Sequence, residues 1–289
     1  MSDRKSEWDP SVLILGPGGV KGYLELGALQ FYFQKNLTEK LRTIVGVSIG
    51  SIIGLLLAIG YDVDEVITIA LSIDMSQTIM QGKSFNPQLL NNWGLIDREP
   101  LKCFLSSLVG LKFGSIPTFN ELYEQNHIEL VIVATNLERK CPTHFSRKTY
   151  PNLDVVEAVL MSCNIPFIFP VYHFGEMTYI DGAFSDPFPL HPFDDGETDI
   201  LGIYVNDHPV PRKSIFSYIY AILDSMIETI KKVQLKTKSS KVLCVDIDSI
   251  SINPVNLFLD DHDKREMLQV GHDSARVSWE NFTGKSKAK

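Results

Sequence analysis

The sequence predicts an α/β fold with a mainly parallel central sheet flanked by helices. Three observations carry this. Short apolar runs alternate with helical patterns, the runs end in glycine-rich or polar turns, and no Pro-, Gly- or Ser-rich linker divides them. Of the 289 residues, 44% are apolar and 21% charged, a composition that supports a sizeable core and excludes disordered, collagen-like and disulfide-scaffold chains. The expected organisation is a loose tail over residues 1–11, a single domain over 12–280 and a short tail over 281–289.

Taken in order, Val12-Leu13-Ile14-Leu15 reads as a buried parallel strand feeding the turn Gly16-Pro17-Gly18-Gly19. Residues 23–34 have helical spacing, with Leu26, Leu29 and Phe33 on one face. Thr43–Val47 is a β-branched second strand that passes through Ser48 into an apolar helix over 51–59. Asp62 and Asp64 stand as start signals for a helix over 64–72. Between 75 and 120, Gly82, Pro87, Gly94 and Pro117 predict short helices or loops. Residues 127–135 form the strongest strand, 154–162 a helix, and 177–180 a short strand ending at Asp181-Gly182. Strands over 199–205 and 241–247 flank a long amphipathic helix over 215–235, and a last helix covers 260–280.

Charge and cysteine usage narrow the class. Twenty-seven basic against 35 acidic side chains give a net charge of −8, which argues against nucleic acid as a partner. Cys103, Cys141, Cys163 and Cys244 form no CxxC pair, so they read as reduced intracellular thiols, mostly core fillers; neither a metal nor a cofactor is expected. The start, MSDRKSEWDP, is not a secretory signal. Residues 43–61 are 19 without a charge, long enough to cross a bilayer. Their β-branched beginning and the lack of aromatic or basic flanks favour a buried strand, turn and helix instead. The expected location is therefore intracellular and cytoplasmic, with no transmembrane helix.

Two turns carry chemistry. Gly46-Val47-Ser48-Ile49-Gly50 has the form GxSxG between a strand and a helix. A serine forced into that sharp turn projects its hydroxyl from the sheet edge, and glycines on either side let the backbones approach. Gly16-Pro17-Gly18-Gly19-Val20-Lys21-Gly22 lacks the third glycine of a dinucleotide loop and the Gly-Lys-Ser/Thr of a phosphate loop. It reads better as an oxyanion hole of backbone N–H groups at a helix start. None of the seven histidines sits where it names itself as a base, whereas Asp181, ending a strand before Gly182-Ala183, can emerge at the edge that bears Ser48.

Together the GPGGVKG, GVSIG and DGA segments resemble the patatin-like phospholipases, as does the apolar stretch over 158–170 with its Ser162, Pro166 and Pro170. The resemblance covers about residues 12–205. It implies a three-layer architecture and a Ser–Asp dyad without histidine: Ser48 as nucleophile, Asp181 as base, and the amides of Gly18, Gly19 and Val20 as oxyanion donors. Gly16, Lys21, Gly22, Gly46, Gly50, Gly182 and Ala183 complete the motifs. Pro17 departs from the family, standing where a first motif glycine is usual and offering no N–H. The implied substrate is a phospholipid or another glycerolipid. Residues 85–96 and Phe167-Ile168-Phe169 read as an acyl groove or as plain core. The helix over 215–235, with Lys231, Lys232, Lys236, Lys238 and Lys241, reads as a peripheral membrane contact or as a solvated helix end. The alternatives are an α/β-hydrolase with Ser48, Asp181 and His191 or His208, and a lipid- or nucleotide-binding protein without turnover.

Overall fold

The computed structural model describes residues 8–73, 93–206, 215–248 and 259–284. Eight strands form one sheet: β1 (Val12–Leu15), β2 (Thr43–Val47), β3 (Glu129–Asn136), β4 (Cys141–Phe145), β5 (Tyr172–Phe174), β6 (Met177–Asp181), β7 (Ile200–Asn206) and β8 (Val242–Asp248). Their order is β5-β6-β3-β2-β1-β7-β8, with β4 also paired to β3. The five strands β3-β2-β1-β7-β8 are parallel, while β4, β5 and β6 add antiparallel pairs. Register brings Leu15 level with Gly46 and with Ile203, so the loops leaving β1 and β2 emerge side by side at the carboxyl edge. Open parallel sheets bind their ligands at that edge.

The helices are α1 (Gly22–Gln34), α2 (Ile49–Ala58), α3 (Val63–Ser72), α4 (Glu99–Phe113), α5 (Phe119–Asn126), α6 (Val155–Ser162), α7 (Ile215–Lys236) and α8 (Asp261–Thr283). Alternation along β1 divides the core. Leu13 and Leu15 join the large cluster under α1, α2 and α6, whereas Val12 and Ile14 join a smaller one with Phe188, Leu190 and Ile227 of α7. The chain therefore has three layers, as expected. α1 is buried almost all round rather than on one face, because α8 packs over its outer side. The Asp62 cap of α3 is present as a full capping box with Glu65.

Three expectations need correction. Residues 99–113 form one helix, not short pieces. Pro100 lies in its first turn, where a missing N–H costs nothing, and Gly114 ends it at φ 93°. The short strands β4 and β5 went unseen, since β4 begins Cys-Pro and β5 has only three residues. Packing also crosses both expected tail boundaries. Trp8 is buried against Trp279 and Phe282 at ring distances of 5.6 and 5.4 Å, and its indole N–H donates to the Lys241 carbonyl at 3.0 Å. Among the cysteines only Cys163 is buried, and Cys103 is exposed. The uncharged 43–61 stretch is strand, turn and a ten-residue helix. Among the described residues no helix is long and apolar enough to cross a membrane.

Candidate active site

β2 ends at Val47 and α2 starts at Ile49, so one residue turns the chain from strand to helix. That residue, Ser48, has φ 55° and ψ −124°. Such a conformation costs a non-glycine residue on the order of 1–3 kcal/mol. Close approach explains the flanking glycines. A Cβ at Gly46 would lie 2.5 Å from the Gly50 carbonyl oxygen, and one at Gly50 would lie 2.5 Å from that of Leu15. Buried hydrogen bonds hold the strained residue in place. The Ser48 amide donates to Ser162 Oγ at 2.9 Å, and its carbonyl accepts from Ser51 Oγ at 2.6 Å and Cys163 Sγ at 3.1 Å.

Asp181 closes β6, where register against β3 sets it opposite Ala134. Its amide donates to the Asn164 carbonyl at 3.0 Å and its carbonyl accepts from Thr135 Oγ1 at 2.8 Å. The backbone so fixed aims the carboxyl at the elbow. Ser48 Oγ donates to Asp181 Oδ2 at 2.5 Å, and the Ala183 amide donates to Oδ1 at 2.9 Å. Burial pushes the Asp181 carboxyl up to about 6, against the lowering effect of these two donors. Burial, with the Asp181 charge beside it, also holds the Cys163 thiol far above its ordinary range, so this cysteine is a protonated donor.

The glycine turn lies beside the elbow. The Gly16 amide donates to the Ile203 carbonyl at 3.0 Å, anchoring the loop to β7. Gly19–Lys21 form a single 3₁₀ turn closed by the Lys21 amide on the Gly18 carbonyl at 3.0 Å, and α1 begins at Gly22. The leading amides of a helical segment have no partner inside it, and those of Gly18, Gly19 and Val20 stand at the start of this one. The Lys21 side chain is buried rather than presented to solvent.

Two hollows meet at Ser48. An apolar cavity of about 190 Å³ extends beneath α1 to α4, walled by Leu26, Ile53, Ile69, Phe104 and Phe169 among others. A smaller cleft of about 80 Å³ is the more polar of the two, although apolar groups still supply most of its surface; it is bounded by Gly18, Asp181, Phe184 and the α7 residues Asp224, Glu228 and Lys231. The Ser48 hydroxyl thus faces an oily pocket on one side and a cleft with charged side chains on the other. A family model described as patatin-like phospholipase matches residues 13–194. The chain belongs to the patatin-like phospholipase family.

Related patatin-like and similar chains extend the comparison. An uncharacterised protein of Acanthamoeba polyphaga mimivirus is 33% identical over 198 residues, 68% of this chain and 65% of that one. A probable lipid hydrolase of Invertebrate iridescent virus 6 is 28% identical over 267 residues, 92% of this chain and 87% of the relative. Among solved structures, VipD from Legionella pneumophila superposes with a TM-score of 0.56 at 15% identity, covering 94% of this chain and 67% of that chain. ExoU from Pseudomonas aeruginosa, in its complex with SpcU, gives 0.54 at 19% identity, covering 96% of this chain and 52% of that chain. The chain therefore spans about two thirds of the mimivirus protein and about half of ExoU. At these identities the two structures bear on the fold alone.

Within this patatin-like site, Ser48, Asp181 and the glycine turn come together, and Gly182 and Ala183 begin the 3₁₀ turn that follows Asp181. Of the expected groove residues, Ile96, Ile168 and Phe169 line the apolar cavity, whereas Phe167 is 46% exposed. Residues 85–92 lie outside the described residues, as does His208. Among the described histidines, none lines either hollow; His144 instead meets Asp186 at 2.9 Å and His191 is exposed. Lys231 is no surface lysine. It is buried, with Nζ donating to the Val205 carbonyl, Asn206 Oδ1 and Glu228. Ser51, Ser162 and Cys163 were missed as partners of the elbow. Their signal was small polar residues inside otherwise apolar segments, where a buried hydroxyl or thiol must find a backbone group to bond.

Proposed function

We propose that the protein is a lipid acyl hydrolase that cleaves carboxylic esters of phospholipids or other glycerolipids through a Ser48–Asp181 dyad. The observation that carries this reading is the 2.5 Å hydrogen bond from Ser48 Oγ to Asp181 Oδ2 at a strained elbow between an apolar and a polar hollow. Ser48 Oγ attacks the ester carbonyl carbon as its proton passes to Asp181 Oδ2. The oxyanion of the tetrahedral intermediate accepts from the amides of Gly18, Gly19 and Val20. Collapse breaks the ester C–O bond, and the leaving alcohol takes the proton from Asp181. Water then attacks the acyl-serine, giving its proton to Asp181, and collapse releases the fatty acid and restores Ser48.

The energetics favour this division of labour. A carboxylate held near 6 by burial is a stronger base than one in water, and it meets the serine proton without any histidine. The apolar cavity suits an acyl chain, each buried methylene contributing about 0.8 kcal/mol, while the polar cleft suits the alcohol side. The test is a lipid panel with products identified by mass spectrometry, together with fluorophosphonate labelling. Release of fatty acid and labelling lost in Ser48→Ala are the expected results. A folded wild-type protein that neither labels nor turns over any ester would be a binding module instead.

A further inference from the structure

One face of α7 is left unexplained by the chemistry. Tyr218, Ile222, Met226 and Val233 are 51%, 45%, 56% and 59% exposed. Their spacing of i, i+4, i+8 and i+15 lines them up along one side of a helix, over about 22 Å. The polar residues within the stripe have their hydroxyls turned inward: Ser225 Oγ donates to the Ile222 carbonyl at 2.8 Å and Thr229 Oγ1 to the Ser225 carbonyl at 2.7 Å. Hydroxyls satisfied within their own helix leave little desolvation cost when the face leaves water.

Charge on the same helix is sorted along its length. Asp224 and Glu228 border the polar cleft next to Ser48. Lys232 and Lys236 are exposed in its last two turns, Lys236 in line with Tyr218 at the end of the stripe, and Lys238 is exposed just past the helix; the stripe itself carries no carboxylate. An apolar stripe that ends in lysines, in a chain whose net charge is −8, is complementary to an anionic surface with an oily interior. We propose that the outward face of α7 docks on the surface of an anionic lipid bilayer, setting the polar cleft at the membrane from which substrate is drawn. The choice of a bilayer as occupant rests on the lipid hydrolase reading above; the helix binds in the interfacial plane and does not span.

The test uses the full chain carrying Ser48→Ala, so that binding is read without turnover, and vesicles of phosphatidylcholine with or without phosphatidylserine. Sedimentation with the phosphatidylserine vesicles is expected, falling about tenfold or more in Ile222→Glu/Met226→Glu. Lys232→Glu/Lys236→Glu should abolish the preference for phosphatidylserine. In the Ser48 background, the Ile222→Glu/Met226→Glu protein should hydrolyse a monomeric short-chain ester at the parental rate while losing vesicular turnover. Thermal unfolding checks the fold of each variant. Undiminished vesicle binding by the folded glutamate variant overturns the proposal. So does a parental dimer, seen by light scattering, that the same substitutions dissociate, because the stripe would then be a self-interface. A parent inactive on monomeric ester refutes the hydrolase reading but leaves the vesicle result to decide the docking face.

Discussion

Two carboxylic acids are buried around the glycine turn, and their surroundings differ in one respect. Asp181 receives two hydrogen bonds, from Ser48 Oγ and the Ala183 amide. Glu25, on the first turns of α1 behind Gly18, is fully buried, and neither of its carboxyl oxygens accepts a hydrogen bond from a described residue. Burial alone lifts Glu25 well above the usual carboxylate range and favours its protonated form. Donors hold Asp181 near 6 despite equal burial, so it is mostly ionised at neutral pH. In the proposed mechanism, what separates a base from an inert acid is two donated protons, not depth.

The largest expected effect tests that distinction directly. Asp181→Asn and Ser48→Ala should each lower ester hydrolysis by about 10⁴-fold or more in a protein that still folds, whereas Glu25→Gln should stay within a few-fold of the parent. Steady-state kinetics on a purified series decides it, and equal losses in all three would erase the contrast. Ser162→Ala should come next. It removes the acceptor of the Ser48 amide, and an unsatisfied buried N–H costs about 1–3 kcal/mol. A loss of kcat of about ten- to hundredfold is expected, with substrate affinity little altered; an unchanged kcat would show that the elbow keeps its shape without this bond.

The pH profile should be gentler but more diagnostic. A protonated Asp181 cannot accept the Ser48 proton, so kcat/KM should fall about tenfold for each pH unit below about 6. A flat profile down to pH 4.5 would separate the measured base from this carboxyl. The smallest effect is on stability. The fold holds the Glu25 proton more tightly than the unfolded chain does, so raising pH above the ordinary glutamate value progressively favours the unfolded chain. The melting temperature of Glu25→Gln relative to the parent should therefore be higher at pH 8 than at pH 5. An identical difference at both pH values would mean that the Glu25 carboxyl is charged in the fold.

Legibility followed the same physics. β1, β2 and the elbow were readable because an apolar run broken by glycines leaves few alternatives, and Asp62 showed its cap by type and position. The 99–113 helix was not, since Gly94 and Pro117 bracket it with breaker residues that read as marks of short pieces, while the helix itself carries its one proline in the first turn. Ser48 and Asp181 could be nominated from motifs, but their meeting depends on β6 pairing with β3, a contact that local patterning does not encode. Glu25 and Lys231 were opaque for another reason. A charged residue on a helix is expected to face water, and only the covering elements reveal that each is enclosed.

Gly50, at the head of α2, sits directly under the carbonyl groups of Leu15 and Gly16. The helix that follows Ser48 and the glycine loop are thus seated on each other with no slack for a side chain between them. They shift together or not at all. Any regulation of such a centre would have to govern who enters, by admitting or withholding lipid at the two hollows, because alignment at the reacting atoms is already built in.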